Sequence, residues 1–194
     1  MRLFPATIAF LGLTTLAWAT TTSDLPAPPE LAQASKYQTN EEVVTLNASP
    51  AEAWAFWRQN NITDFLEPTD RIPAIADIVV LEGTWGEPGS IRRVDFADGG
   101  SALERVLTSD EDEFTYQIWN IETSAGRFID HIYGEFRVRP SDNGTDIVWR
   151  YNVKPAVFFA RPSIRSFLRE DFRPFMEGGM EAMAALFETR TQDQ

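Results

Sequence analysis

The stretch that decides the fold runs from Ile129 to Val153. It reads Ile129-Asp130-His131-Ile132-Tyr133-Gly134-Glu135-Phe136-Arg137-Val138, a turn at Ser141-Asp142-Asn143-Gly144, then Ile147-Val148-Trp149-Arg150-Tyr151-Asn152-Val153. Polar and apolar residues alternate on both sides of the turn, which is the period of a strand. Ile147, Trp149, Tyr151 and Val153 share one apolar face, against Val148, Arg150 and Asn152. On the preceding strand Ile132, Gly134, Phe136 and Val138 share the inner phase, which places His131 and Glu135 outside. A connection this short cannot carry a crossover helix, so the two strands pair antiparallel.

The same period extends upstream. Ile75 to Leu81, Ile91 to Phe96, Ala102 to Thr108 and Phe114 to Ile121 are four further candidate strands, separated by turn-rich stretches. With a short strand at Glu42 to Leu46, the sheet is expected to be an antiparallel meander of about seven strands. Helices flank it. Ser49-Pro50-Ala51-Glu52 supplies an N-cap, a proline at the first helical position and the glutamate of a capping box, ahead of Trp54, Phe56 and Trp57. A second helical turn is expected around Thr63 to Leu66. Beyond Pro155, Ser163 to Asp171 reads as a short helix that Pro174 breaks or restarts. Phe175, Met176, Met180, Met183, Leu186 and Phe187 then recur at spacings of three and four, the stripe of an amphipathic C-terminal helix. The class is α+β.

The N-terminus carries an address. Met1-Arg2, an apolar run from Leu3 to Leu16, and Ala17-Trp18-Ala19 form the three-part layout of a signal peptide, too short in its apolar part to span a bilayer as an anchor. Cleavage after residue 19 is expected, giving a periplasmic or secreted protein with no stable transmembrane segment. Residues 20–40, with Pro26, Pro28 and Pro29, have no periodic apolar face and read as a linker, which leaves 41–190 as the folded domain. Asn47, Asn61 and Asn143 head Asn-x-Ser/Thr triplets, relevant only in a host that glycosylates.

Composition excludes several function classes. Of 194 residues 43% are apolar, with 14 Phe and 6 Trp, so the chain has material for a core. Seventeen basic against 29 acidic residues give a net charge of −12, and Arg92-Arg93 is the longest basic run. Nucleic acid is therefore not an expected partner, and anionic lipid headgroups are expected to repel the chain unless a local basic patch is hidden in it, which the sequence does not display. There is no Cys and a single His, at 131, which excludes disulfides, thiolate chemistry and a Cys/His zinc site. The acidic run 110–113 lacks calcium-loop spacing and reads as a solvated turn. No metal or cofactor is expected.

The opening Ser49-Pro50-Ala51-Glu52-Ala53-Trp54 resembles that of the START/polyketide-cyclase-like (SRPBCC) superfamily, of the polyketide cyclase/dehydrase and lipid-transport type. So do Gly89-Ser90-Ile91-Arg92-Arg93, Asp98-Gly99, Glu104-Arg105-Val106, Tyr116, the run Gly144 to Arg150 and Pro174-Phe175-Met176-Glu177-Gly178-Gly179, in that order. The resemblance spans roughly Glu41 to Glu188. It implies a helix-grip fold, a sheet wrapped around a long C-terminal helix with a cavity between them for an apolar ligand.

Strand phase nominates the residues facing that cavity. Arg92 lies with Val94 and Phe96, Glu104 with Ala102 and Val106, and Phe114, Tyr116, Ile118 and Asn120 share a face. With Phe136, Trp149 and Tyr151 these make an apolar surface carrying Arg92, Glu104, Tyr116 and Asn120 as its polar groups, the composition of a small-molecule site. Two other readings stand beside this one. Arg92, whose strand has apolar residues in both phases, fits a surface ion pair with Glu104 equally, whereas the small apolar neighbours in the phase of Glu104 favour the cavity; Trp149 and Tyr151 fit a plain core. A carboxylate at Glu104 facing an apolar cavity needs a cation or donors, and Arg92 and Tyr116 on the flanking strands are the candidates. Gly178-Gly179, a weak point inside the last helix, nominates Gly179 as space left for a ligand or for close packing. The Gly83, Gly86 and Gly89 loop around Trp85 is a candidate rim. No nucleophile elbow or phosphate-binding loop occurs. An exported protein that holds a hydrophobic small molecule, lipid-like or aromatic, is therefore the leading expectation. A polyketide cyclase/dehydratase-like enzyme using Glu104 and Tyr116 as acid–base groups is the alternative.

Overall fold

A computed structural model describes residues 25–192; the expected signal peptide lies outside the described residues. Seven strands form one antiparallel sheet. They are β1 (Gln38–Leu46), β2 (Ile75–Glu82), β3 (Ile91–Phe96), β4 (Ser101–Ser109), β5 (Glu113–Trp119), β6 (Ile129–Ser141) and β7 (Gly144–Pro155). Their order is β1-β7-β6-β5-β4-β3-β2, so the meander β2 to β7 is closed at one end by the first strand. The decisive hairpin pairs in the register its alternation requires: Gly134 with Tyr151, Phe136 with Trp149, Val138 with Ile147.

Helix α1 (Pro50–Gln59) starts where its capping box places it. Ser49 accepts from the Glu52 backbone N–H and the Glu52 carboxylate accepts from the Ser49 backbone, an arrangement worth about 1 kcal/mol. A 3-10 turn (Ile62–Phe65) follows. The C-terminal helices form one run: α2 (Arg161–Phe167), a π-helical turn (Leu168–Phe172) and α3 (Arg173–Gln192). Pro174 has no N–H to give the preceding turn, and the wider π-turn just before it absorbs that loss, so the helix continues where a break was one expectation. Met176, Met180 and Met183 are fully buried and Phe187 nearly so, which makes the expected stripe the grip of α3 on the sheet. Phe187 meets Phe56 of α1 edge to face at 5.1 Å. The architecture is the α+β helix-grip fold.

The expected linker is largely not one. β1 begins at Gln38, and residues 26–37 before it lie against the outer face of the sheet, the face turned away from the helices. Trp119 Nε1 donates to the Pro26 carbonyl at 2.8 Å, and Gln117 Nε2 to the Pro29 carbonyl at 2.9 Å. Tyr37 stands over His131, its hydroxyl 2.8 Å from Nε2, while the same hydroxyl accepts from the Ala32 N–H at 2.9 Å. Proline has no N–H to give a ladder, so this segment does not extend the sheet, and its carbonyls instead cap donors that the outer face would otherwise leave unmatched.

Candidate functional site

Between the inner face of the sheet and the helical run lies a cavity of about 580 Å³, inside the roughly 300–1,000 Å³ range of small-molecule pockets. Two rows of cross-strand neighbours build its floor. Phe114, Phe136 and Trp149 stand opposite one another across β5, β6 and β7; Tyr116, Gly134 and Tyr151 form the next row. Phe136 stacks on Trp149 with centroids 5.0 Å apart, and Tyr151 lies 4.3 Å from Phe172 of the π-turn. The aromatic surface therefore passes without a gap from the sheet to the helices.

Gly134 makes this possible. A Cβ there would fall inside the Tyr116 ring, so the absence of a side chain lets that ring lie across the neighbouring strand. Thus placed, the Tyr116 hydroxyl accepts from Trp149 Nε1 at 2.9 Å and keeps its own proton to donate. Ile129 and Ile132, an odd number apart, both line the cavity because a bulge between Ile129 and His131 shifts the phase of β6.

The polar groups sit on one side of this surface. Arg92 and Glu104 are cross-strand partners on β3 and β4, each 5% exposed, with Arg92 Nε 2.6 Å from Glu104 Oε2. The surface ion-pair reading is therefore excluded. Trp85, from the glycine-rich loop, covers the guanidinium with its ring centroid 3.6 Å from Cζ, a cation–π contact that replaces lost hydration. Gly83, Gly86 and Gly89 all have positive φ, the loop conformation that brings Trp85 back over the strand. Among the described residues the Arg92 Nη groups, Glu104 Oε1 and the Tyr151 hydroxyl have no hydrogen-bond partner. All three residues line the cavity. Burial pushes the Tyr116 phenol well above its ordinary range, reinforced by Tyr151 and Glu104; burial and Glu104 do the same to Tyr151. Both phenols stay protonated at neutral pH, so each has a hydroxyl proton to donate.

Of the expected site residues, Arg92, Glu104, Tyr116, Phe136, Trp149 and Tyr151 meet in the cavity. Asn120 does not. β5 ends at Trp119, and Asn120 turns the chain at φ 48°, its side chain donating to Glu122 at 3.3 Å. Asparagine tolerates the left-handed region, and that is its role here. Gly179 is also absent from the cavity. Its position packs against the turn after α1, where a Cβ would lie 2.6 Å from Leu66 Cδ2, so the missing side chain admits Leu66 and not a ligand. Gly178 faces open space. His131 occupies the outer face, as its phase requires, yet is fully buried beneath Tyr37. The loop around Trp85, a candidate rim by its glycines, lines the cavity through Trp85 and Gly86, while the sequence carries no direct sign of the Trp85 contact with Arg92 or of the contributions of Gly134 and Phe172. A glycine flanked by inward-facing aromatics on both neighbouring strands is the indirect signal that would have found Gly134.

No cluster of potential ligands for a metal ion occurs among the described residues, and no helix among them is long and apolar enough to cross a membrane.

A search of curated protein sequences returns no match. Among solved structures the fold is similar to Ara h 8.0201, at 20% identity and a TM-score of 0.54, covering 79% of this chain and 99% of that one. It is also similar to the Zhui aromatase/cyclase from Streptomyces sp. R1128, at 17% identity and 0.57, covering 80% and 96%. Ginseng major latex-like protein 151 from Panax ginseng is similar at 12% and 0.57, over 78% and 98%. The family profile described as polyketide cyclase / dehydrase and lipid transport matches residues 38–188, which begins on the first residue of β1 and ends inside α3. The chain belongs to the polyketide cyclase/dehydrase and lipid-transport family of the SRPBCC superfamily.

Proposed function

We propose that this protein binds a hydrophobic small molecule, lipid-like or aromatic with one polar end, in the cavity between sheet and helices, and that it does so after export. The observation that carries the reading is the distribution of chemistry inside the cavity. Aromatic rings cover the floor, and the Arg92, Glu104, Tyr116 and Tyr151 groups gather on one side with bonding capacity to spare. Apolar surface supplies affinity without direction, while a few convergent polar groups orient one end. The guanidinium and two phenols would donate to a carbonyl or carboxylate, and the free Glu104 oxygen would accept from a hydroxyl.

The enzyme reading finds less support. Burial holds the Tyr116 phenol well above its ordinary range, its hydroxyl already accepts from Trp149, and one Glu104 oxygen is held by Arg92. Export rests on the Met1 to Ala19 layout alone; N-terminal sequencing of the mature protein should begin at Thr20.

A fluorescent fatty acid serves as the probe for the cavity. Ile118 lines it and is only half-buried, so Ile118→Trp should fill space there, leave the fold intact and weaken probe uptake about tenfold or more. A folded variant with undiminished uptake would place binding elsewhere. Native mass spectrometry of protein purified from its own compartment then reads the ligand's mass.

A further inference from the structure

Ala156, Val157, Phe158 and Phe159 are four consecutive exposed apolar residues between β7 and α2. Phe158 is 80% and Phe159 75% exposed, the two highest values among the large apolar side chains described. The neighbouring turn joins them, because the Ala156 N–H donates to the Phe128 carbonyl at 2.9 Å and Phe128 is itself 38% exposed. None of these four side chains is buried in the fold, and a solvated turn of this composition costs solubility unless something covers it.

The charge around the patch is opposite to that of the chain. Arg161 stacks on Phe158 at 5.2 Å and Arg127 on Phe128 at 4.7 Å, and neither has a carboxylate partner among the described residues. Arg165, one turn beyond Arg161, bonds only the neutral Gln38 side chain. The nearby acid, Asp130, is already shared between Lys154 at 3.5 Å and His131 at 3.4 Å. In a chain of net charge −12 the fold thus gathers a local basic rim that no run in the sequence displays.

We propose that the turns at 125–129 and 155–161 form a docking surface for a membrane containing anionic lipid. Phenyl rings enter the boundary between headgroups and acyl chains, and guanidiniums meet the phosphates above them. A second copy of the chain is the poorer occupant. An isologous interface sets a patch against itself, so the unpaired arginines would face their own copies. Both turns also lead into the cavity wall: Ala125 and Ile129 flank Phe128, and Phe167 follows Arg161 on α2. Docking there would hold the cavity beside the bilayer. The inference does not depend on which molecule the cavity takes.

The test uses the chain from Thr20 onward, which contains every described residue, so that the apolar leader cannot bind lipid itself. It is sedimented with vesicles of phosphatidylcholine and phosphatidylglycerol in equal parts, and with phosphatidylcholine alone. Binding to the anionic vesicles is expected, weakened severalfold at about 0.5 M salt. Phe158→Ser with Phe159→Ser should cut it about tenfold or more, and Arg127→Glu with Arg161→Glu should remove its salt dependence. Phe158, Phe159 and Arg127 are exposed and Arg161 partly so, and circular dichroism should be unchanged. Absence of vesicle binding by the parent chain, or equal binding by the phenylalanine variant, would overturn the proposal. Concentration-dependent self-association that the same variant abolishes, without vesicle binding, would also overturn it by making the patch a contact between copies.

Discussion

On the inner face of the sheet Arg92, Glu104 and Tyr116 are buried, and Tyr151 half-buried, beside an open volume; on the outer face Gln117, Trp119 and His131 are buried beneath residues 26–37. Tyr151 apart, the degree of burial is alike and the chemistry differs. Outer-face donors are capped by the chain's own carbonyls and by a tyrosine hydroxyl, so they lock a covering segment in place. Inner-face groups bond one another only in part, and what remains points toward the cavity. Burial of a polar group therefore does not mark a site. Unspent bonding capacity against a space does.

The comparison breaks most readily at the ion pair. Glu104→Gln leaves the Arg92 guanidinium buried without its carboxylate and should destabilise the protein by about 3 kcal/mol. Arg92→Met with Glu104→Leu should recover most of that stability yet still impair uptake of a probe with a polar end. Urea midpoints of the single and double variants check this; a double variant no more stable than Glu104→Gln contradicts it. Next in size is Gly134→Ala. Its methyl group must displace the Tyr116 ring, so a loss of about 2 kcal/mol is expected together with weaker probe binding. If stability and uptake both stay at the parental level, Gly134 has no part in setting the ring.

On the outer face Tyr37→Phe removes one partner from both His131 Nε2 and the Ala32 N–H and should cost about 1 kcal/mol. Hydrogen exchange at residues 26–37 should rise, with probe affinity unchanged. A change in affinity would show that the two faces are coupled. The smallest effect expected is in pH. His131 is fully buried, with Nε2 2.8 Å from the Tyr37 hydroxyl. Burial, the largest influence, lowers the folded-state pKa below the ordinary 6.5, against the opposing pull of Asp130. The unfolded chain then takes up the proton first. The contribution to stability is complete above about pH 6.5 and is lost as pH falls below that value toward the folded pKa. His131→Gln should flatten this part of the stability profile between pH 7.5 and 5.5. An unchanged slope would remove His131 from the account.

Much of the architecture was legible because it rests on period and local chemistry. The 129–153 hairpin, the box at Ser49 and Glu52, and the spacing from Met176 to Phe187 each fix an element through neighbours in the chain. Strand phase likewise placed Arg92, Glu104, Tyr116, Phe136, Trp149 and Tyr151 on one face, since alternation is imposed by the backbone. Phase fails where the strand stops, and so Asn120, one residue past β5, escaped into a left-handed turn.

What the tertiary structure alone decided are contacts between residues remote in sequence. Whether Gly179 opened a cavity or admitted Leu66 depended on where the 62–65 turn came to rest. Whether residues 26–37 were a linker or a cover depended on unmatched donors some ninety positions away. The basic rim around Phe158 likewise draws Arg127 and Arg161 from separate elements, and no window along the chain contains both with the turn between them. Periodicity is a property of the backbone and is written locally; pairing of leftover polar and apolar groups is settled only when the whole chain has collapsed.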